Sequence, residues 1–390
     1  MKCRTALAAA WILGAISSAM AADCTMEQVA IDPTSVISPC GERLATKDLP
    51  DRDRAQAYFV RGRAFHRTQR LNEAGEDYRA AFALDPKNEE ILVSWSNVDL
   101  RLRRMNDYKS RVEQAYALSP KNPRVLRAIG ALWFNVGDRD KALEFYSKAI
   151  EVDPAESFAL YLRSREYRAR RKFAEAIADA NALLAVSEAG LNDARSFLDA
   201  EGIVRDFRGI ALLERAYCYQ DSGRLDLAEK DYDAAVDIGR SAPALVARAH
   251  FLGSYVERKD DALRDLTEAV HKEPRNRHAL YALGISLAGF KRFEEAFAAF
   301  DAAVTVRPNY TRGLVMRARM HRQFGRTDAA VDDLKMAVLL GPTDSDGIRE
   351  LNGLMHALRH AGYWSEPRLP SEPTRDLDDA LRACMIDPQC

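Results

Sequence analysis

Neither sign of charge is in surplus in this chain. Its 390 residues carry 57 Lys and Arg against 58 Asp and Glu, a formal net charge of -1. The bulk attraction expected of a nucleic-acid-binding chain is therefore missing, and no nucleic-acid partner is expected. Only 15 Pro and 20 Gly interrupt the sequence, which leaves little scope for long disordered tracts. Beyond the first residues no apolar run approaches the ~20 residues that span a bilayer, so no membrane span is expected in the mature chain. Gly-rich phosphate loops, a Gly-x-Ser-x-Gly elbow and a His-Glu-x-x-His helix are all absent. So is the tight Cys-x-x-Cys spacing of zinc sites. His356 and His360 share one helical face, but with Glu350 and Glu366 as the nearest carboxylates they read as a solvated face. No cofactor, metal or enzymatic activity is expected.

What the N-terminus does have is informative. Lys2 and Arg4 precede the apolar run ALAAAWILGAISSAM, and Ala19 and Ala21 stand before a plausible cut. Residues 1–21 read as a secretory signal peptide; as a membrane anchor the run is too short. Cys24 follows Asp23 where a lipidation motif wants a small residue. The expected location is periplasmic or secreted. Five cysteines then remain, and in an oxidising compartment the close pairs Cys24–Cys40 and Cys384–Cys390 are expected disulfides. Cys218, inside a helical pattern, reads as a small buried apolar residue.

Proline reveals a period. Pro86, Pro120 and Pro154 are 34 residues apart, as are Pro274, Pro308 and Pro342, and the step between the two sets is three periods plus 18. Ala142 and Ala176, then Ala228, Ala262, Ala296 and Ala330, repeat the same period and the same 18-residue insertion. A fixed period of this size marks a solenoid. Within residues 123–156, Leu126, Ile129, Gly130 and Trp133 mark a first helix, and Asn135, Gly137 and Asp138 a turn. Ala142, Tyr146 and Ala149 mark a second helix, which Pro154 ends.

This pattern resembles the tetratricopeptide repeat: a small residue at position 8, Ala at 20, an aromatic at 24, Ala at 27 and Pro at 32. Eight repeats fit, beginning at 55, 89, 123, 157, 209, 243, 277 and 311. Gly62, Gly130 and Gly284 fill position 8, and Tyr78, Tyr146 and Phe300 position 24. Repeat 2 departs by placing Tyr108 where Ala belongs, repeat 4 lacks its terminal Pro, and repeat 6 puts His250 at the small position. The implied fold is all-α, a solenoid of about eight helical hairpins with disulfide-tied terminal caps. Residues 22–54 form the N-terminal cap, 55–187 repeats 1–4, 188–208 a helical insertion, 209–344 repeats 5–8, and 345–390 a capping helix and tail. LNDARSFLDA is expected to supply the helix of the insertion. In the last segment Ile348, Leu351, Leu354, Leu358, Gly362, Tyr363, Ala380 and Leu381 are similar to a peptidoglycan-binding module, without that family's Gly-containing turn in the gap.

The resemblance also implies where a partner would bind. First helices line a concave surface, faced by positions 2, 5, 9 and 12, which here hold Arg63, Arg124, Arg127, Arg165, Arg168, Arg312, Arg319 and Arg322 against Glu90 alone. Phe59, Phe158, Tyr161, Tyr217, Phe251 and Tyr281 are interleaved. Arg and aromatic residues dominate binding hot spots, and Arg both grips carboxylates and stacks on rings. The expectation is a non-enzymatic scaffold holding a segment of another protein, an acidic one in particular. The alternatives are that these Arg pair with acids on neighbouring helices, and that the C-terminal part contacts peptidoglycan. The Lys and Asn of the family's carboxylate clamp are not reproduced, since Val93 precedes Asn97 and Arg127 precedes Ala131.

Overall fold

The computed structural model describes residues 24–188, 197–198, 204–205, 207–341, 345–366 and 374–387; the expected signal peptide, most of the insertion and Cys390 lie outside them. Among the described residues there are twenty helices and one two-residue antiparallel pair. The chain divides into two compact units that meet in sequence between Cys218 and Tyr219.

The first unit opens with α1 (Met26–Ile31) and α2 (Ile37–Ala45), which pack on α3 (Asp51–Arg67). The Cys24–Cys40 disulfide joins the start of α1 to α2, and Cys40, Val29 and Val36 pack on Val60 and Ala64 of α3. Four hairpins follow: α3 with α4 (Leu71–Leu84), α5 (Glu89–Arg101) with α6 (Met105–Leu118), α7 (Pro123–Asn135) with α8 (Arg139–Val152), and α9 (Ser157–Ala169) with α10 (Phe173–Glu188). The second helix of each hairpin also packs on the first helix of the next, so a succession of apolar clusters runs through the stack. In the insertion, β1 (Phe197–Leu198) pairs with β2 (Val204–Arg205). These residues are extended, not helical as LNDARSFLDA suggested, consistent with the strand preference of Phe and Val. The unit ends within α11 (Phe207–Asp221).

The second unit holds the last turn of α11 and α12 (Leu225–Asp237). Three hairpins follow: α13 (Ala242–Ser254) with α14 (Lys259–Lys272), α15 (Arg277–Gly289) with α16 (Phe293–Val306), and α17 (Thr311–Gln323) with α18 (Thr327–Leu340). Then α19 (Ser345–His360) packs on α17, and α20 (Arg375–Ile386) on α18. Leu351, Leu354, Leu358, Ala380 and Leu381, which carry the peptidoglycan-module resemblance, are buried against this last hairpin. Cys384 is disulfide-bonded, with its expected partner Cys390 outside the described residues, and Cys218 is a buried free thiol.

The repeat pattern has a visible steric cause. A Cβ added at Gly130 would stand 2.6 Å from the Tyr146 ring, and at Gly284 2.6 Å from Phe300. In these two repeats the missing side chain gives the aromatic at position 24 its room, whereas repeat 5 seats Tyr232 against Ala216 at position 8. Repeat 2 reverses the sizes: Tyr108 is buried at position 20 and Val112 replaces the aromatic at 24. Repeat 6 is shifted by one residue. Ala249, not His250, is buried at the small position, His250 is exposed, and the Arg258 N–H reaches back to the Leu252 carbonyl to close a turn one residue longer than its counterparts.

An arginine ladder, invisible in the repeat signature, crosses the hairpins. Arg61, Arg163 and Arg317 at position 7, and Arg248 at the shifted equivalent, each hold the buried Asp at position 23 of their own hairpin (Asp77, Asp179, Asp333 and Asp265) through two bonds of 2.6–2.9 Å. Three of them also reach back to the preceding repeat: Arg163 to Ser147, Arg248 to Asp233 and Arg317 to Asp301. Repeats 3 and 7 place Ile129 with Phe145 and Leu283 with Ala299 at the same two positions. Repeat 2 places Trp95 and Arg111 there, stacked at 3.7 Å, so the ladder is one of three solutions to the same packing site.

Candidate functional site

In the first unit the predicted residues converge on α9. Phe158 and Tyr161 lie one turn apart on its half-buried face, and Phe158 packs edge-on against Phe207 at 5.0 Å. Arg127 arrives from α7, stacks over Phe158 at 4.9 Å and donates to Glu156 at 2.9 Å. Glu156 is also the N-cap of α9, accepting from the Ala159 N–H at 2.6 Å. One carboxylate thus ends a helix and anchors the neighbouring repeat. Arg168 lies 3.5 Å from Glu214 and 4.9 Å over Tyr217, both on α11. Arg124 pairs with Glu90 across 2.9 Å.

Arg165 differs from these three. It is exposed, stacks over Tyr161 at 5.4 Å, donates to the Tyr161 hydroxyl at 3.3 Å and has no carboxylate partner among the described residues. The face between α7 and α11 therefore presents one open guanidinium on an aromatic ring, flanked by Arg–aromatic stacks whose charges are already matched. The matching acids, Glu156 and Glu214, were missed because neither occupies a groove position. The signal available for Glu156 was its place before Ser157 at a helix start.

The other predicted residues do different jobs. Phe59 is buried in the first hairpin's core, 5.9 Å from Tyr78, and Arg63 lies 6.0 Å from its ring. In the second unit Phe251 is fully buried between Tyr232 and Tyr255, and Tyr281 is buried against Phe300 and Tyr310. Arg312 stacks over Tyr281 at 4.3 Å. Arg319 is exposed beside the Met316 sulfur. Arg322 donates to the Asp387 carbonyl, so it ties the C-terminal segment down. His356 and His360 are exposed and stacked at 6.2 Å, and no group of three metal-ligating side chains occurs among the described residues. Nor is any described helix long and apolar enough to cross a membrane.

Comparison with known proteins agrees with this geometry. Tetratricopeptide repeat models match residues 55–88, 129–156 and 211–239, and a second such model matches 255–311. A curated relative, the DnaJ homolog subfamily C member 7 homolog of Schizosaccharomyces pombe, is 30% identical over 103 residues, which is 25% of this chain. The chain spans 22% of that relative's length. Among solved structures, the APC/C hetero-tetramer Cut9–Hcn1 superposes with a TM-score of 0.50 at 12% identity, covering 82% of this chain and 59% of that one. A tetratricopeptide repeat protein from Parabacteroides merdae gives 0.49 at 17% identity, over 73% of this chain and 98% of its own. Matched repeat models in both units, and glycine–aromatic and hairpin geometry that obeys the repeat's spacing, make this chain a tetratricopeptide repeat protein.

Proposed function

We propose that the chain is a non-catalytic adaptor of the periplasm or extracellular space, which holds an acidic segment of another protein against α7, α9 and α11. The observation that carries this reading is Arg165: an exposed guanidinium without a carboxylate, seated on Tyr161 between two stacks of the same kind. Arg on an aromatic platform offers a planar double donor whose side-chain freedom is already restricted, so little entropy is lost on binding. Arrays of helical hairpins serve as interaction scaffolds.

Affinity capture with the exported chain, followed by mass spectrometry, identifies the partner. The variant Tyr161→Ala/Arg165→Ala should then bind it at least about tenfold more weakly, or ~1.4 kcal/mol, as truncation of a hot spot does. Arg165→Ala alone, at an exposed position, should leave the melting temperature little changed, and wild-type binding should weaken with added salt. Arg127→Ala should behave in the opposite way, lowering the melting temperature because it strips the buried Glu156 of its partner. An unchanged dissociation constant in the Tyr161/Arg165 variant removes α9 as the receiving surface.

A further inference from the structure

A second cluster of cations sits between α3 and α5, and its members on α3 lack the carboxylate that each ladder arginine holds. Arg63, His66 and Arg67 lie within one turn and a half of α3. Arg63 donates to Ser94 of α5 at 3.4 Å, and Arg101 at the end of α5 bonds to Gln69 just past the end of α3. No carboxylate approaches Arg63, His66 or Arg67 within ion-pair distance among the described residues. The buried acids of α4 and α5 are engaged elsewhere, Asp77 by Arg61 and Asp99 by Arg111, and Glu90 is held by Arg124.

Half-burial makes this costly. The Arg67 Nε is buried without a hydrogen-bond partner, and so is the hydroxyl of the fully buried Tyr78, on which Arg63 acts electrostatically. Burial and the like charge of Arg63 both push the Arg67 guanidinium down from its usual range. Burial, with Arg101 and Arg63, pushes the His66 imidazole down to about 3, so His66 is neutral and able to donate one N–H. Buried like charges and orphaned donors destabilise a fold unless something else matches them. Asp77, the ladder acid of this hairpin, is held by Arg61 and not by this cluster.

We propose that Arg63, Arg67 and Arg101, with Ser94 and His66 as further donors, form a second anion site on the first two repeats, which takes neighbouring carboxylates of an acidic peptide segment. This rests on the reading of the chain as a protein-binding scaffold, and it places a charged contact point two repeats before Arg165 on the first helices. A peptide supplies carboxylates spaced along an extended backbone, which suits donors spread over more than one turn of α3 and the facing end of α5. A single compact anion reaches fewer of them at once.

The test uses the full exported chain and a fluorescent hexaglutamate peptide blocked at both ends, read by anisotropy at low salt. Hexaglutamine and inorganic phosphate serve as competitors. Wild type should bind hexaglutamate, hexaglutamine should not displace it, and phosphate should displace it only at far higher concentration. Arg63→Gln/Arg67→Gln should bind at least about tenfold more weakly. Arg292→Gln, on an exposed cation already paired with Glu295, should stay within about twofold of wild type. The Arg63/Arg67 variant should melt no lower than wild type, because it removes unmatched like charges; a fall in melting temperature would assign these residues to structure and overturn the proposal. Equal affinity in that variant, or displacement by phosphate at concentrations matching the peptide, would overturn it as well. The adaptor reading is decided separately. If the captured partner still depends on Tyr161 and Arg165 while hexaglutamate ignores Arg67, only the second site falls; if hexaglutamate binds as described but no partner is captured, only the adaptor reading does.

Discussion

Arg163 holds Asp179 through two bonds of 2.9 and 2.7 Å and touches Ser147 of the preceding repeat, while Asp179 is almost wholly buried. Removing one partner of such a pair leaves an uncompensated charge and costs about 3 kcal/mol or more, whereas replacing both with apolar groups of similar volume is close to neutral. Repeats 3 and 7 already carry the apolar version, Ile129 with Phe145 and Leu283 with Ala299. Arg163→Met should therefore lower the denaturation midpoint sharply, and Arg163→Met/Asp179→Leu should recover most of the loss. A double variant no better than the single one would show that Ser147 and the guanidinium geometry matter more than charge. His66 makes a separate prediction. Its folded pKa lies near 3 while the unfolded imidazole titrates near ~6.5. Between those values the unfolded chain binds the extra proton, so the contribution of His66 is present above ~6.5 and is lost as pH falls towards 3. Relative to His66→Gln, wild type should lose up to ~1.4 kcal/mol per pH unit across that window. Parallel curves of stability against pH for the two proteins would refute it.

At the scale of the helical hairpin, one backbone device recurs in every repeat. Position 15, between the two helices, has positive φ throughout: Gln69, Arg103, Arg171, Glu257 and Lys291 at 56–66°, and Gly137, Gly223 and Gly325 at 68–90°. The left-handed conformation reverses the chain within three residues, and only glycine adopts it without a Cβ penalty. Gly137→Ala should cost about 1 kcal/mol, and Lys291→Gly, on an exposed turn with nothing to lose in packing, should be neutral or stabilising by a few tenths of a kcal/mol. Thermal melts of both variants check this; a destabilised Lys291→Gly would mean that the ordering of the free turn outweighs its strain. The same scale explains why repeat 6 misled the sequence reading. A fixed 34-residue template cannot show that α13 begins one residue early, because the compensating residue lies in the turn before Arg258. The exposed His250 and buried Ala249 disclose the shift only once burial is known.

For the whole molecule, export and oxidation belong together. If residues 1–21 direct secretion, mass mapping of the protein recovered from the producing cell should find an N-terminus just after Ala21 or Ala22. It should also find Cys24 linked to Cys40, and Cys218 reduced. An intact N-terminus, or Cys218 in a disulfide, would contradict this picture. By the chain-entropy model, a bridge closing a loop of this size contributes ~3 kcal/mol, and here it fastens α1 and α2 over the apolar end of the first repeat. The sequence by itself determined the period, the eight helix pairs, the glycine–aromatic contacts and the first disulfide, because each depends on residues at fixed spacing or on one short loop. It also put Arg127, Tyr161, Arg165 and Arg168 on the first helices. Tertiary structure alone decided which of these charges are open. Pairing across repeats joins residues about 30 or more apart, such as Arg127 with Glu156 and Arg168 with Glu214, and whether a carboxylate faces a given guanidinium depends on helix rotation that no periodicity records. The Arg67 cluster stayed hidden for the same reason: a cation is conspicuous only when the acids around it are seen to point elsewhere.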